Sequence, residues 1–412
     1  MMSLQTFPFN PKSSAFLQDR HAVFKEMRAH SLIYKESETD IGGRPFTRWH
    51  FTTYEDVMLM FRDKRFVTEL KKVLPAEQIP PVPEDIRALD RTLKNVMLYR
   101  DPPDHTRLRS LVNKAFTPRI AEQLEPRIRE ISSHLLNGFE PGATFDLVRN
   151  FSFPLPVIVI AELLGSPVED RDLIKDWSAF LTRTIDYKPS KETLVKGNQA
   201  ALEFRDYCRG LVEDRSRNPK DDLLSELIRA THEGDRMSVD ELLDMCILIL
   251  EAGHETTMNL LANSVYLMTQ YPEQQTLLRA QPKWMESAIE EILRFEPPAH
   301  LRHRTVGEDI EYKGHMLKRG DLVSGWIVSA NRDPEVFFAP DSFDITRDKN
   351  PHLSFGQGIH FCLGAPLARK EGMIALQTLL DKYSRLDRVH EQVEWISYPG
   401  KRYLKELIIH AK

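Results

Sequence analysis

The chain has 412 residues, 41% of them apolar and 28% charged, and a formal net charge of −5. This composition is globular, and it excludes a disordered, collagen-like or disulfide-scaffold protein. The mild acidity and the lack of a like-charge block argue against a nucleic-acid partner, and no stretch approaches the ~18 consecutive apolar residues of a membrane span.

The opening MMSLQTFPFN lacks the charged-then-apolar order of a signal peptide. Three distant cysteines, Cys208, Cys246 and Cys362, make neither a disulfide framework nor a zinc cluster. Both features point to the cytoplasm. Residues 1–70 mix helix with strand-like pieces such as RWHFTTY and form a β-richer first part. Residues 73–90, rich in proline and acid, read as a loop region. A helix is predicted after Asp101-Pro102-Pro103, because proline suits a first turn, and further helices over 120–235. The longest helix is predicted over 238–271. Ser238 and Glu241 form its capping box, Pro272 ends it, and 1.5 Å per residue gives it roughly 50 Å. Its middle, Cys246 to Leu250, is apolar and therefore buried. A helix over 283–296 sets Met285, Ala288, Ile289, Ile292 and Leu293 on one face. Residues 305–330 alternate as short strands around Lys313-Gly314-His315. A last helix follows Cys362, with Pro366 in its first turn and an apolar stripe through Ile374, Leu376, Leu379 and Leu380. The fold class is mainly α with small β pieces, in one domain over 1–412 whose helical core covers 100–412.

The strongest motif is Phe355-Gly356-Gln357-Gly358-Ile359-His360-Phe361-Cys362-Leu363-Gly364. A glycine-rich loop here delivers one cysteine to the start of a helix. The electropositive helix end and its free N–H groups lower a thiol's pKa. Cys362 is then a nucleophile with His360 as its base, or a metal ligand. The plainer alternative is a buried cysteine before a helix, common for single cysteines. Glycines at 356, 358 and 364 let backbone approach a flat partner.

The order FGxGxHxCxG resembles the haem-binding signature of the cytochrome P450 family. The resemblance implies a large helical domain with small antiparallel sheets around a buried haem b. It makes Cys362 the thiolate ligand to iron, with Phe355, His360 and Gly364 beside the haem. Ala252-Gly253-His254-Glu255-Thr256-Thr257, midway along the long helix, is costly there unless paired. Read alone, it is a hydroxyl bonded to the i−4 carbonyl plus a salt bridge. It is similar to the family's oxygen-binding groove, where the helix opens locally and an acid–alcohol pair relays protons. By position Glu255 is the acid and Thr256 the alcohol. Leu248, Ala252 and Thr256 share a helical face, which the resemblance turns to the haem. Glu251 stands where the family often has an aliphatic residue, and it has no assigned role.

Glu291 and Arg294 also share a face. Alone they are a surface pair of little worth. By resemblance they are structural and lie beneath the haem, joined by an arginine from the segment around Pro340–Arg347. His105 and Arg109, four apart on a helix, are alone two solvated side chains; the resemblance places them, with Arg304 and His360, at the haem propionates, and Arg302 competes with Arg304. The implied substrate walls are Met97, Leu98, Leu248, Ala252, Pro298, Ala299, His300 and Leu301. Lys71 and Lys72 either steer a carboxylate or are solvated. Ser397 to Tyr403 departs from the family's usual turn near the substrate.

The implied activity is monooxygenation. It uses O2 to hydroxylate a C–H bond of a lipophilic small molecule, such as a polyketide or macrolide, a fatty acyl chain or a steroid or terpenoid. The chain carries no flavin or iron–sulfur fingerprint, so a separate ferredoxin or flavodoxin with its reductase is implied. Arg107, Lys114, Arg119, Arg369 and Lys370 are candidate docking residues or ordinary solubility charges. A monomer is the family's habit. Two alternatives stand beside this reading. A peroxygenase would carry an arginine–proline pair, and Glu255-Thr256 speaks against it. A non-catalytic haem protein is the reading from a different class.

Overall fold

The computed structural model describes residues 9–30, 33–40, 43–115, 118–232 and 237–412. Strands Tyr34–Thr39 and Pro45–Phe51 pair antiparallel. Pro45–Phe51 then runs parallel to Leu322–Trp326, which pairs antiparallel with Leu301–Val306, and Phe66–Val67 closes the edge. The β-richer first part is thus completed by strands lying inside the stretch predicted as helical core. Asp321 stitches the two halves: one carboxylate oxygen accepts from the Thr47 N–H at 3.0 Å, the other from Trp49 Nε1 at 2.9 Å. Residues 327–330, predicted as strand, form a short helix. All four are buried, so apolar alternation carried no information about a face there.

The long helix runs over Val239–Gln270 with both halves of the Ser238–Glu241 capping box formed. Pro272 ends it and also opens the next helix, Pro272–Ala280. Helices Pro154–Leu164, Arg171–Thr184 and Lys191–Arg217 pack around it. Gly253 has a packing reason: a Cβ there would lie 2.8 Å from the Ile160 side chain of the crossing helix. Helix Met285–Phe295 lies between the long helix and the final helix, Ala365–Lys382. The C-terminus adds a hairpin, Trp395–Tyr398 with Lys401–Leu404. Among the described residues, no helix is long and apolar enough to cross a membrane.

Candidate active site

The long helix, the cysteine loop, strand Leu301–Val306 and the turn Met97–Tyr99 surround a cavity with ≈ 1490 Å³ of empty volume, part of it open to solvent. Cys362 lines it. A single 3-10 turn, Gly358–His360, precedes the cysteine, and the Cys362 N–H donates to the Phe355 carbonyl at 2.9 Å. The following helix starts three residues later, with Gly364 as its cap. The thiol pKa moves opposite to the direction predicted from the helix end. Burial pushes it up, against the Gly364 N–H and the charges of Arg302, Arg109 and Arg369. The helix end is three residues away, so desolvation wins. The three glycines also differ in their reasons. Gly358 has φ +71°, and a Cβ there would lie 2.6 Å from the Phe61 carbonyl. Gly356 has φ +68°. Only at Gly364 is there open space for a flat partner to use.

A basic cluster lines the same cavity. The rings of His105 and His360 lie 4.4 Å apart, centroid to centroid. Arg109 Nη1 donates to the Phe361 carbonyl at 2.9 Å and so ties its helix to the cysteine loop. Arg304 is buried against the Phe61 ring. Burial and the charges of Arg304, His105 and Arg109 hold His360 down at about 3. Burial and Arg302 hold Arg304 at about 10. Asp101, whose charge acts on His105 and Arg304, already accepts from the Thr68 and Glu69 N–H groups. Such crowding of like groups is offset by an anionic partner. Arg304 lowers both histidines, and Arg302 lines the same cavity beside it. A lone cysteine sulfur, open space at Gly364 and donors for two carboxylates fit haem.

The acid–alcohol pair splits. The long helix is unbroken through 252–257, with no local opening. Thr256 faces the cavity, and its hydroxyl donates to the Ala252 carbonyl at 2.9 Å. Glu255 does not line the cavity. Its carboxylate is bound by the Lys401 ammonium from the C-terminal hairpin and by the Thr182 hydroxyl at 2.7 Å. Burial raises the Glu255 pKa, but Lys401, Thr182 and His254 outweigh it and hold the acid below its ordinary value. Glu251 also reaches Thr182, at 2.7 Å.

Glu291 and Arg294 are both 0% exposed and doubly hydrogen-bonded at 2.7 Å. Arg347 Nε joins Glu291 at 3.0 Å. Of the predicted walls, Met97, Leu98, Leu248, Ala252, Pro298 and Ala299 line the cavity with Phe355. His300 and Leu301 do not. His300 is fully buried against Arg20, and Leu301 packs into the Phe16–Phe24–Trp326 cluster. Strand alternation sets Leu301 opposite Arg302, while His300 precedes the strand and its N–H donates to the Gly400 carbonyl of the C-terminal hairpin at 2.9 Å. Lys71 and Lys72 are paired with Glu69 at 2.9 and 2.8 Å, away from the cavity. Three of the proposed docking residues pair within the chain: Arg107 with Glu241, Arg369 with Glu290 and Lys370 with Glu125. Arg119 is exposed, and the Lys114 side chain lies outside the described residues.

One ionisable cavity residue went unnamed in the sequence. Glu371 lines the cavity, and its buried Oε2 has no hydrogen-bond partner. The signal was present: Leu367, Glu371 and Ile374 fall on one helical face, so an acid interrupts an apolar stripe.

A family model described as Cytochrome P450 matches residues 45–400. The Biotin biosynthesis cytochrome P450 of Bacillus subtilis (strain 168) is 39% identical over 407 residues, 98% of each chain. The Vitamin D(3) 25-hydroxylase of Pseudonocardia autotrophica is 40% identical over 369 residues, 89% of this chain and 87% of that one. The crystal structure of P450BioI in complex with hexadec-9Z-enoic acid ligated acyl carrier protein superposes with a TM-score of 0.86 at 38% identity, covering 97% of this chain and all of that one. The chain belongs to the cytochrome P450 family of haem-thiolate monooxygenases.

Proposed function

We propose that this monooxygenase hydroxylates a C–H bond of a lipophilic small molecule in the cytoplasm, with electrons from a separate ferredoxin or flavodoxin. The observation that carries the substrate class is the cavity wall. Met97, Leu98, Leu248, Ala252, Pro298 and Ala299 offer it no charge and few hydrogen bonds, so shape and apolar burial select the substrate. The relatives named for vitamin D hydroxylation and for a fatty acyl complex are consistent with such a wall.

Cys362 would hold the haem iron, and His105, Arg109, Arg304 and His360 would hold its carboxylates. When bound, the haem supplies dioxygen activation and transfer of one oxygen atom to carbon. Thr256 presents its hydroxyl to the cavity. Glu255, one residue before it, holds the charge that draws protons inward from the Lys401 side.

The test is the absorption spectrum of the reduced protein under carbon monoxide, beside Cys362→Ala. A strongly red-shifted Soret band in the wild type alone is expected. The wild-type protein is then titrated with hexadec-9Z-enoic acid, a macrolide lactone and a steroid. At least one should displace iron-bound water and yield a hydroxylated product with a ferredoxin system. A histidine-type Soret band would overturn the ligand assignment, and preference for polar, charged molecules would overturn the substrate class.

A further inference from the structure

Thr182, on helix Arg171–Thr184, makes two contacts more than its single hydrogen can serve one to one. Its Oγ1 lies 2.7 Å from Glu251 Oε1, 2.7 Å from Glu255 Oε2 and 2.8 Å from the Ser178 carbonyl. A hydroxyl donates one hydrogen and accepts others through two lone pairs. Were all three oxygens pure acceptors, two of the contacts would have no hydrogen. A main-chain carbonyl has none to give, so a carboxyl must carry one. Lys401 is bound to Glu255 and favours its ionised form. With that hydrogen on Glu251, the Thr182 hydrogen is shared between Glu255 Oε2 and the Ser178 carbonyl, and all three contacts are met.

We propose that Glu251 is a proton-holding residue that reloads Glu255 through the Thr182 hydroxyl. The proposal rests on the reading that Glu255 supplies protons toward the cavity. The step balances. Glu251 gives its proton to Thr182 Oγ1 as the Thr182 hydrogen passes to Glu255 Oε2. Glu251 is left as carboxylate and Glu255 as acid, and solvent returns one proton to Glu251. Because it acts through Glu255, Glu251 is a positioning residue.

The charged and titratable groups around Glu251 come from five elements. They are Thr182 on its helix, Glu255 on the shared helix, Lys401 on the hairpin, Arg302 on its strand and Tyr99 on the 97–99 turn. Burial, with the charge of Glu255, pushes Glu251 up to about 7 against Thr182, Lys401 and Arg302. The proton is thus held and released in the physiological range.

The test uses the holoenzyme, with the band of Glu371, whose pKa is raised to about 8, identified by its loss in Glu371→Gln and set aside. Infrared difference spectra between acidic and alkaline samples report the C=O stretch of protonated carboxyls. A band that vanishes as pH rises through about 7 is expected in the wild type. It should be retained in Glu255→Gln and absent in Glu251→Gln. Turnover with hexadec-9Z-enoic acid as probe should fall on the same alkaline limb in the wild type. In Glu251→Gln it should be lower and flat across that limb, with a loss below the ~100-fold typical of direct proton donors. Thr182→Val should reproduce that loss while keeping the infrared band. If the band survives in Glu251→Gln, or if that variant keeps the wild-type pH limb, the proposal fails. If instead Glu255→Gln leaves turnover and its coupling to electron use unchanged, the underlying reading of Glu255 fails, while the infrared band still decides where the proton sits.

Discussion

Glu291 and Glu251 are both glutamates held inside the protein on helices, and their company separates them. Glu291 meets two arginines, the Asn350 amide and the Asp344 N–H. Arg294 in turn donates to the carbonyls of Asn331, Pro340 and Ser342. Every lone pair there has a fixed donor, so nothing can move without breaking several bonds. Glu251 shares one hydroxyl with a second acid, and the one lysine nearby is bound to that second acid. That arrangement leaves a proton with two places to go. The fully matched acid is architecture, and the undermatched one is suited to chemistry.

The comparison breaks most visibly at Glu291. Glu291→Gln removes the anion between Arg294 and Arg347 and leaves a guanidinium buried without a counter-charge. Uncompensated buried charge costs about 3–5 kcal/mol. Little folded holoprotein should accumulate, and what does should melt well below the wild type. Glu255→Gln strands Lys401 alone, and the neighbouring Glu251 can answer its charge, so the fold should be kept at a smaller loss. Equal melting temperatures for the two variants would sink the distinction.

A third acid sharpens it. Among the described residues the buried Glu371 Oε2 has no hydrogen-bond partner, and burial alone pushes the acid up to about 8. Its folded pKa is above its unfolded one, so the folded state binds the extra proton. Its contribution to stability is full below about 4.5 and is lost as pH rises toward about 8. Glu251, raised to about 7, adds a smaller slope of the same sign. Glu371→Gln should flatten the fall in melting temperature between these limits and leave the variant more stable than the wild type at the alkaline end. A wild-type slope in the variant would mean that Glu371 is ionised in the folded protein.

These acids also mark how far the sequence could be read. The Ser238–Glu241 cap, the Glu291–Arg294 spacing and the His105–Arg109 face are local, and periodicity exposes local neighbours. Thr182 meets Glu251 across 69 positions, and Lys401 meets Glu255 across 146. No helical period reports such a meeting. The glycine at 253 was legible as an anomaly, but Ile160, its cause, lies on another helix. His300 was misplaced for a different reason. Its neighbours Pro298 and Ala299 do line the cavity, but its N–H is held by the Gly400 carbonyl, 100 positions on, and its ring meets Arg20, 280 positions back.

The smallest effect is expected at Glu69, the acid with the most cations near the surface. Burial opposes its ionisation, yet the Asp101 N–H, Lys72 and Lys71 hold it down at about 2. Lys71 is half-exposed, so its pair with Glu69 is screened by solvent and worth about 0.2–1 kcal/mol at most. Lys72 also donates to the Asp101 and Pro102 carbonyls at 2.9 Å, just before the helix that bears His105 and Arg109. Lys71→Ala should leave melting temperature and fatty-acid binding unchanged, whereas Lys72→Ala should loosen the start of that helix slightly. The sharpest check is a matched pair of probes, hexadec-9Z-enoic acid and its alcohol, titrated spectrally into both variants. Each variant should bind the two probes in the wild-type ratio, because neither lysine faces the cavity. A selective loss of the carboxylate in Lys71→Ala would show that this lysine leaves Glu69 to meet the substrate, and surface acids would then have to join Glu251 among the groups that can exchange partners.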